Sequence, residues 1–469
     1  MARRKAPEAG GAARLGGFIA ACSEFQQARG IVVAFSGGLD STVLLHLLHA
    51  AHALGAIAAP LRAVHVNHAL QSDADRWEAH CRAVCEQLHV EFRGVRSPVV
   101  QVPGTSLEES ARDTRHSVFT ETLSEGEVLA LAQHRDDQVE TVLFRLLRGS
   151  GAAGLAGMPR SRPCGAGMLV RPLLEVTRAE LLEYARAHAL TWVDDGSNAD
   201  RRFDRNFLRN AVLPLLYERW PGLGSAVTRS AALSAEAAAL CDELAVNDLR
   251  SVVGSNPRQL ELAPLQQLSA ARQRNVLRHW LQTACAQLTV AMPTYEVLTR
   301  SFSEVIAARP DAEPVLTWGE GDAAAELRRY RGFLHVLKPL PALPGTLSWS
   351  TDAPCMLSAP FGELSVEPCS GRGIPRERIP ALRVCFRSGG ELVKAAGRPT
   401  RPLKKILQDA GVPPWLRERI PLLYAGDDLV AVADLLICDG WLSETAESRC
   451  RIVWMHPDLD CGYPPHLLI

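Results

Sequence analysis

Ile31-Val32-Val33-Ala34-Phe35-Ser36-Gly37-Gly38-Leu39-Asp40-Ser41-Thr42 reads as an apolar strand, a tight polar turn and the opening of a helix that runs on to Leu54. Glycine lets a backbone approach a phosphate closely, and a helix start presents unpaired N–H groups with a partial positive charge. The Ser36 and Ser41 hydroxyls add donors, and Asp40 is suited to hold Mg²⁺ or to orient a nucleotide. A Walker loop needs GxxxxGK[ST]; the lysine is missing here, which disfavours γ-phosphate cleavage by that route. The competing reading is a plain glycine-rich turn, and the full SGGxDS spacing directly behind a strand weakens it.

Outward from this loop, the first 220 residues alternate strand-like and helix-like runs. Strands are expected at 31–35, 61–66, 90–95 and 127–132, and helices at 41–54, 73–88, 106–123 and 136–148. This alternation predicts βαβ units and a Rossmann-like parallel sheet, an α/β fold with right-handed crossovers. From 221 the pattern turns helical and alanine-rich, and a small helical domain is expected over 221–338. Residues 339–380, with Pro339, Pro341, Pro344, Pro354, Pro360 and Pro368 among them, read as a linker with short strands. The remainder, 381–469, reads as an α+β domain, with β-like runs at 382–386 and 429–437 around a basic helical segment.

The chain has 469 residues, enough for roughly three domains. A composition of 47% hydrophobic and 22% charged residues excludes collagen-like, coiled-coil and wholly disordered readings. With a net charge of −1, any nucleic-acid surface must be a local patch. One stands out at 381–420: Arg383, Arg387, Lys394, Arg398, Arg401, Lys404, Lys405, Arg417 and Arg419 against Glu391, Asp409 and Glu418. Phosphate contacts supply most sequence-independent RNA affinity, and Trp415 would add stacking. The plainer alternative is a solvated face with Trp415 in the core. No apolar run reaches the roughly 18 residues a membrane helix needs, and 16–22 is too short for a cleaved signal. The 12 cysteines are scattered without CxxC, so reduced thiols in a cytoplasm are expected, and no zinc-ligand spacing occurs.

SGGLDST resembles the pyrophosphate (PP) loop of the N-type ATP pyrophosphatases, which split ATP between its α and β phosphates and adenylate a substrate carbonyl. Later motifs narrow the resemblance. They are His65-Val66-Asn67-His68, Gln133-His134-Arg135-Asp136-Asp137-Gln138-Val139-Glu140-Thr141, Arg148-Gly149-Ser150-Gly151 and Arg171-Pro172-Leu173-Leu174. Trp192-Val193-Asp194-Asp195-Gly196-Ser197-Asn198 and Arg205-Asn206-Phe207-Leu208-Arg209 follow. In the tail come Phe386-Arg387-Ser388-Gly389-Gly390-Glu391, Leu403-Lys404-Lys405 and Val412-Pro413-Pro414-Trp415. Together, over about 31–214 and 382–440, these are similar to the tRNA(Ile)-lysidine synthetase family. The resemblance implies a ligase that uses ATP and Mg²⁺ to join free L-lysine to carbon 2 of the wobble cytidine in CAU-anticodon tRNA(Ile). Lysidine, AMP and pyrophosphate are its products. Relatives form homodimers; no residue here argues for or against one. A PP-loop tRNA thiolase is the alternative, but the paired cysteines of a sulfur relay are missing near the loop. A non-catalytic nucleotide-binding or RNA-binding protein would need a degenerate loop.

The resemblance also implies roles. Ser36, Gly37, Gly38, Leu39, Asp40 and Ser41 would bind ATP, with Asp40 beside the metal. Asp40, His134 and Asp137 would form the catalytic group. Asp137 and Glu140 would meet the ammonium groups of lysine, and Arg112, Arg205 and Arg209 the nucleotide or RNA. Arg401, Lys404 and Lys405 would hold the acceptor region. Read without the family, Asp137 and Glu140 also suit a macrodipole-favoured helix start, Glu108 and Arg112 an exposed i,i+4 pair, and His65, His68 and His134 ordinary turn positions. His116 stands where relatives carry Tyr.

Overall fold

The computed structural model describes residues 15–17, 19, 22–68, 73–99, 107–194, 202–254, 256–309, 312–357 and 361–455. Two compact units are present, Met1–Leu240 and Cys241–Ile469, so the break falls inside the helix Leu223–Val252.

In the first unit the strands are β1 (Gly30–Ala34), β2 (Leu61–Asn67), β3 (Glu91–Arg96), β4 (Glu127–Ala130), β5 (Ser161–Cys164) and β6 (Gly167–Val170). The helices used below are α1 (Leu39–Ala53), α2 (Ala74–Gln87), α3 (Leu107–Thr122), α4 (Arg135–Leu147) and α5 (Arg178–Ala187). The sheet order is β3-β2-β1-β4-β6-β5, parallel except for the edge strand β5. Residues alternate between its faces. Ile31, Val33, Ala63, Val128 and Ala130 pack against Leu44, Leu48, Cys81, Cys85 and Leu181 of α1, α2 and α5. Val32, Val64, Leu129 and Leu169 pack on the other side against Phe119 and Leu123. Burial on both faces explains why these strands are near-continuous apolar runs. The eight elements expected up to residue 148 all form, with ends shifted by at most two residues. The hairpin β5–β6 carries no such signal: its strands span four residues each, broken by Pro163 and by Gly165 at φ +55°.

β1 pairs with β2 on one side and β4 on the other. Strand order reverses there, and an open α/β sheet binds its ligand in the crevice outside such a point, at the carboxyl ends of the strands. The loop Phe35–Gly38 leaves β1 at that crevice, and residues 131–134 leave β4 beside it.

The second unit is more than helical in the stretch expected to be so. Its helix Ala270–Leu288 buries Val276, Leu277, Trp280 and Leu281 against a four-stranded antiparallel sheet. The strands are Gln259–Glu261, Phe333–Leu337, Ala325–Tyr330 and Val315–Trp318. They are short, and Ala325–Tyr330 carries Glu326, Arg328 and Arg329 without regular alternation, which hides them from a periodicity reading. The proline-rich stretch 339–380 does more than connect. Leu347–Ser350 pairs with Ala381–Cys385, and Glu363–Pro368 with Arg449–Met455, inside the C-terminal sheets. The expected run 429–437 is a hairpin, Asp428–Val432 and Leu436–Ile437, turned at Ala433 with φ +43°. Among the described residues no helix is long and apolar enough to cross a membrane.

Candidate active site

The phosphate loop is held from within and from below. Gly38, extended at φ −77° and ψ 167°, caps α1 without a side-chain acceptor among the described residues, which leaves the first N–H groups of a 15-residue helix facing the crevice. Ser36 Oγ lies 3.0 Å from Ser41 Oγ. Ser41 and Thr42 donate to the Gly38 carbonyl at 3.1 and 3.0 Å, and Val193 N–H donates to the Gly37 carbonyl at 2.9 Å. Gly37 is obligatory on two counts: its φ is +80°, and a Cβ there would stand 2.7 Å from Cys81 Sγ.

His134 joins the two loops. It is 2% exposed, with Nε2 at 3.6 Å from Asp40 Oδ2 and 3.5 Å from Asp137 Oδ2, and Nδ1 at 3.7 Å from Asp136 Oδ2. Burial opposes its charge, but contact with Asp40 and the charges of Asp137 and Asp136 outweigh that and raise its pKa above the ordinary 6.5. Asp137 Oδ2 accepts from His134 N–H at 3.0 Å, and Asp136 Oδ2 from Arg178 N–H at 2.9 Å. Asp40 Oδ1 and His134 Nδ1 are buried without a hydrogen-bond partner among the described residues. An unpaired carboxylate oxygen beside a phosphate loop suits Mg²⁺, which usually takes one or two carboxylates, with phosphate and water as its other ligands. No three His, Cys, Asp or Glu side chains are grouped to hold a metal among the described residues.

The four substrate residues expected at α4 and beyond are together, bonded to one another. Glu140 is 1% exposed; its oxygens accept from Arg209 Nε at 2.5 Å, Arg209 Nη2 at 2.8 Å and Arg205 Nε at 3.2 Å. Arg209 also reaches Asp137 Oδ1 at 3.0 Å, and Arg205 reaches Thr141 Oγ1 at 3.1 Å. Burial works against the Arg209 charge, and Glu140, Asp137 and Asp40 more than compensate, raising its pKa. Arg205 lies in the short helix Asp204–Phe207 and Arg209 in the π-helix Leu208–Val212 that continues it, a distortion frequent at functional sites.

Other expected residues fall elsewhere. His65 is buried and donates from Nδ1 to the Phe35 carbonyl at 2.9 Å, bracing β1 against β2. Asn67 donates to Asp75 and Glu78 at 3.0 and 3.1 Å. Arg112 is exposed, and its charge, with that of Arg162, helps depress the pKa of buried Arg171 to about 10, after burial itself. His116 contacts Arg162 and Thr120. Arg148 lies over the Phe144 ring at 4.0 Å. The Glu108 side chain and residues 195–201 lie outside the described residues.

The basic tail is smaller than its charge count suggests. Arg417 and Arg419 are tied to the Val412, Trp415 and Pro341 carbonyls. Arg387, Lys394 and Arg401 pair with Glu391, Asp439 and Asp409. Lys404 and Lys405 are exposed on the helix Leu403–Asp409, whose other face buries Leu403, Ile406 and Leu407. Trp415 is 7% exposed, edge-on to His335 and Tyr330 at 5.2 and 6.0 Å, so it is core and is no platform for a base.

Comparison with known proteins adds to this geometry. Family models match a PP-loop domain over residues 12–216, a TilS substrate binding domain over 260–335 and a TilS substrate C-terminal domain over 382–454. The chain is 44% identical to the tRNA(Ile)-lysidine synthase of Pseudomonas aeruginosa over 456 residues, 94% of this chain and 97% of that protein. It is 41% identical to that of Coxiella burnetii, over 88% and 91% of the two chains. A solved U34-tRNA thiolase from Methanococcus maripaludis is similar at 17% identity and a TM-score of 0.40, over 47% of this chain and 76% of that one, too slight a likeness to carry an argument. With a lysine-free phosphate loop at the switch point, met by His134 from the loop after β4, and with relatives matched over most of its length, the chain belongs to the tRNA(Ile)-lysidine synthase family.

Proposed function

We propose that the chain adenylates the carbon-2 carbonyl of the wobble cytidine in CAU-anticodon tRNA(Ile) and then joins free L-lysine at that carbon. The observation that carries this is the 3.6 Å approach of His134 to Asp40, which brings the loops after β1 and β4 to one point. In the first step the carbonyl oxygen attacks the α phosphorus, the bond to the bridging oxygen breaks, and pyrophosphate leaves toward Ser36, Gly37, Gly38, Leu39 and Ser41. In the second, the neutral amine of lysine attacks carbon 2, AMP leaves with the oxygen, and the amine loses a proton. Mg²⁺, held at Asp40, would neutralise charge on the phosphates. His134 holds Asp40 and Asp137 at fixed spacing between the loops.

Asp137 and Glu140 are the carboxylates for the ammonium groups of lysine. Arginines occupy them here, and a buried charge left unpaired costs several kcal/mol. Exchange is therefore one for one: an ammonium displaces a guanidinium only when that guanidinium gains another anion, such as the lysine carboxylate or an RNA phosphate. Residues 1–220 are assigned to adenylation, and 221–338 and 381–469 to holding tRNA. The test is ATP-dependent incorporation of labelled lysine into a tRNA(Ile) transcript, with a CAU-anticodon methionine tRNA as control. Label in both RNAs, or in neither, overturns the reading.

Lys404 and Lys405 are exposed side by side on one helix, and among the described residues no ion pair holds either, nor Arg398. Replacing both by Gln should reduce the slope of log affinity for tRNA against log salt by about 1.4 to 1.8. Arg401→Gln should change it less, because Asp409 already neutralises that guanidinium at 2.6 Å. An unchanged slope in the double variant would remove the patch from the RNA interface.

A further inference from the structure

A second polar cleft opens on the same edge of the first unit's sheet. It has a volume of about 330 Å³ and is lined by Arg135, Leu174, Glu175, Ser225, Thr228 and Arg229. Arg135 directly follows His134, and Leu174 and Glu175 lie in the turn after β6, so the cleft sits at the carboxyl ends of β4 and β6. β6 is two strands from β1. At about 4.8 Å per strand the cleft stands about 5 to 10 Å along the crevice from the phosphate loop.

The lining is built to stay in place. Arg135 N–H donates to the Val176 carbonyl at 2.8 Å, and its guanidinium donates to the Glu175 carbonyl. Thr228 Oγ1 donates to the Gly224 carbonyl at 2.9 Å. A Cβ on Gly224 would come within 3.0 Å of Tyr217 Oη and 3.6 Å of Arg135 Cδ, so glycine permits this helix to approach Arg135 so closely. Burial, and then the charge of Asp136, push the pKa of the Tyr217 hydroxyl up, with Arg135 opposing. Two guanidiniums and two hydroxyls face one carboxylate, Glu175. Among the described residues Leu174 is the one apolar side chain of the lining, and no aromatic ring joins it. That chemistry suits an anionic oxygen cluster and gives a base nothing to stack on.

We propose that this cleft seats a backbone phosphate of the RNA strand beside the nucleotide being modified, with Arg135 and Arg229 as its cations and Ser225 as a hydroxyl donor. The inference rests on the functional reading above. A nucleotide whose base reaches the phosphate loop and His134 must leave its flanking backbone along the crevice, and these are the donors that lie there. The phosphates of ATP are assigned to the loop after β1, one to two strands away.

The test uses the full chain with Arg229→Gln and Arg229→Lys. Arg229 is exposed, so neither change threatens folding. Affinity for an unmodified tRNA(Ile) transcript, and for its isolated anticodon stem-loop, is read by fluorescence anisotropy between 50 and 200 mM salt. Arg229→Gln should weaken both RNAs about 3- to 10-fold and lower the salt slope by about one, and Arg229→Lys should restore the slope. Unchanged affinity and slope would overturn the proposal. So would a rise in KM for ATP with RNA affinity intact, which would give the cleft to the nucleotide. Binding is read without catalysis, so failure of the wild-type chain to incorporate lysine would defeat the functional reading alone, and the salt slope would still decide the cleft.

Discussion

Glu140→Ala should cost the first unit about 2–3 kcal/mol and cut lysine incorporation by more than tenfold. Breaking a buried ion pair from one side generally costs 3–5 kcal/mol, because the partner keeps its charge and loses its counter-charge. Here the carboxylate is 1% exposed, but the guanidiniums of Arg205 and Arg209 retain 30% and 37% exposure, and water recovers part of the loss. For a unit of this size each kcal/mol moves the midpoint of thermal unfolding by about 2–4 °C, so a drop of about 4–12 °C is expected. Glu140→Gln keeps the volume and one acceptor oxygen; it should lose about half as much stability while losing as much activity, because an amide does not neutralise an ammonium. Thermal unfolding beside incorporation assays separates the two effects. An Ala variant as stable as wild type would mean that Glu140 does not organise the two arginines.

The Glu140 network shows where sequence reading stops. Asp137 and Glu140 were legible as a one-face pair because the spacing i,i+3 is local. Their bonds to Arg205 and Arg209 cross 65 to 72 residues, and no local pattern encodes them. Strand β1 and its loop were legible because an apolar run followed by SGGLDS is a local signal with a direct physical cause. The antiparallel sheet of the second unit was not, since strands of three to six residues with mixed charges owe their form to their partners. Arg135 stood in full view within HRDDQVET, yet only tertiary packing against the turn after β6 places it in a cleft. Trp415 and the arginines of the tail show the converse. A count of basic residues measures charge, and charge already neutralised by carboxylates is not available to RNA.

Asp40→Asn should lower the rate of tRNA-dependent pyrophosphate release by about 10² to 10³, the range found when one preorganised electrostatic group is removed from a reacting centre. Two independent losses combine. The amide supplies no anionic oxygen for Mg²⁺, and it removes one of the charges that raise the pKa of His134. The fold should survive, because Asn has nearly the same volume and α1 keeps its glycine cap. The second loss has its own pH signature. The pKa of His134 is raised in the folded chain, so its stabilising contribution is fully present below pH 6.5 and disappears as pH rises through the raised value. Without Asp40 that contribution shrinks. The stability gap between wild type and Asp40→Asn should therefore be widest at and below pH 6.5 and narrow above it, and thermal unfolding across pH 5.5 to 9 reads it directly. A gap independent of pH would detach Asp40 from His134, and pyrophosphate release at the wild-type rate would take Asp40 out of the reacting centre.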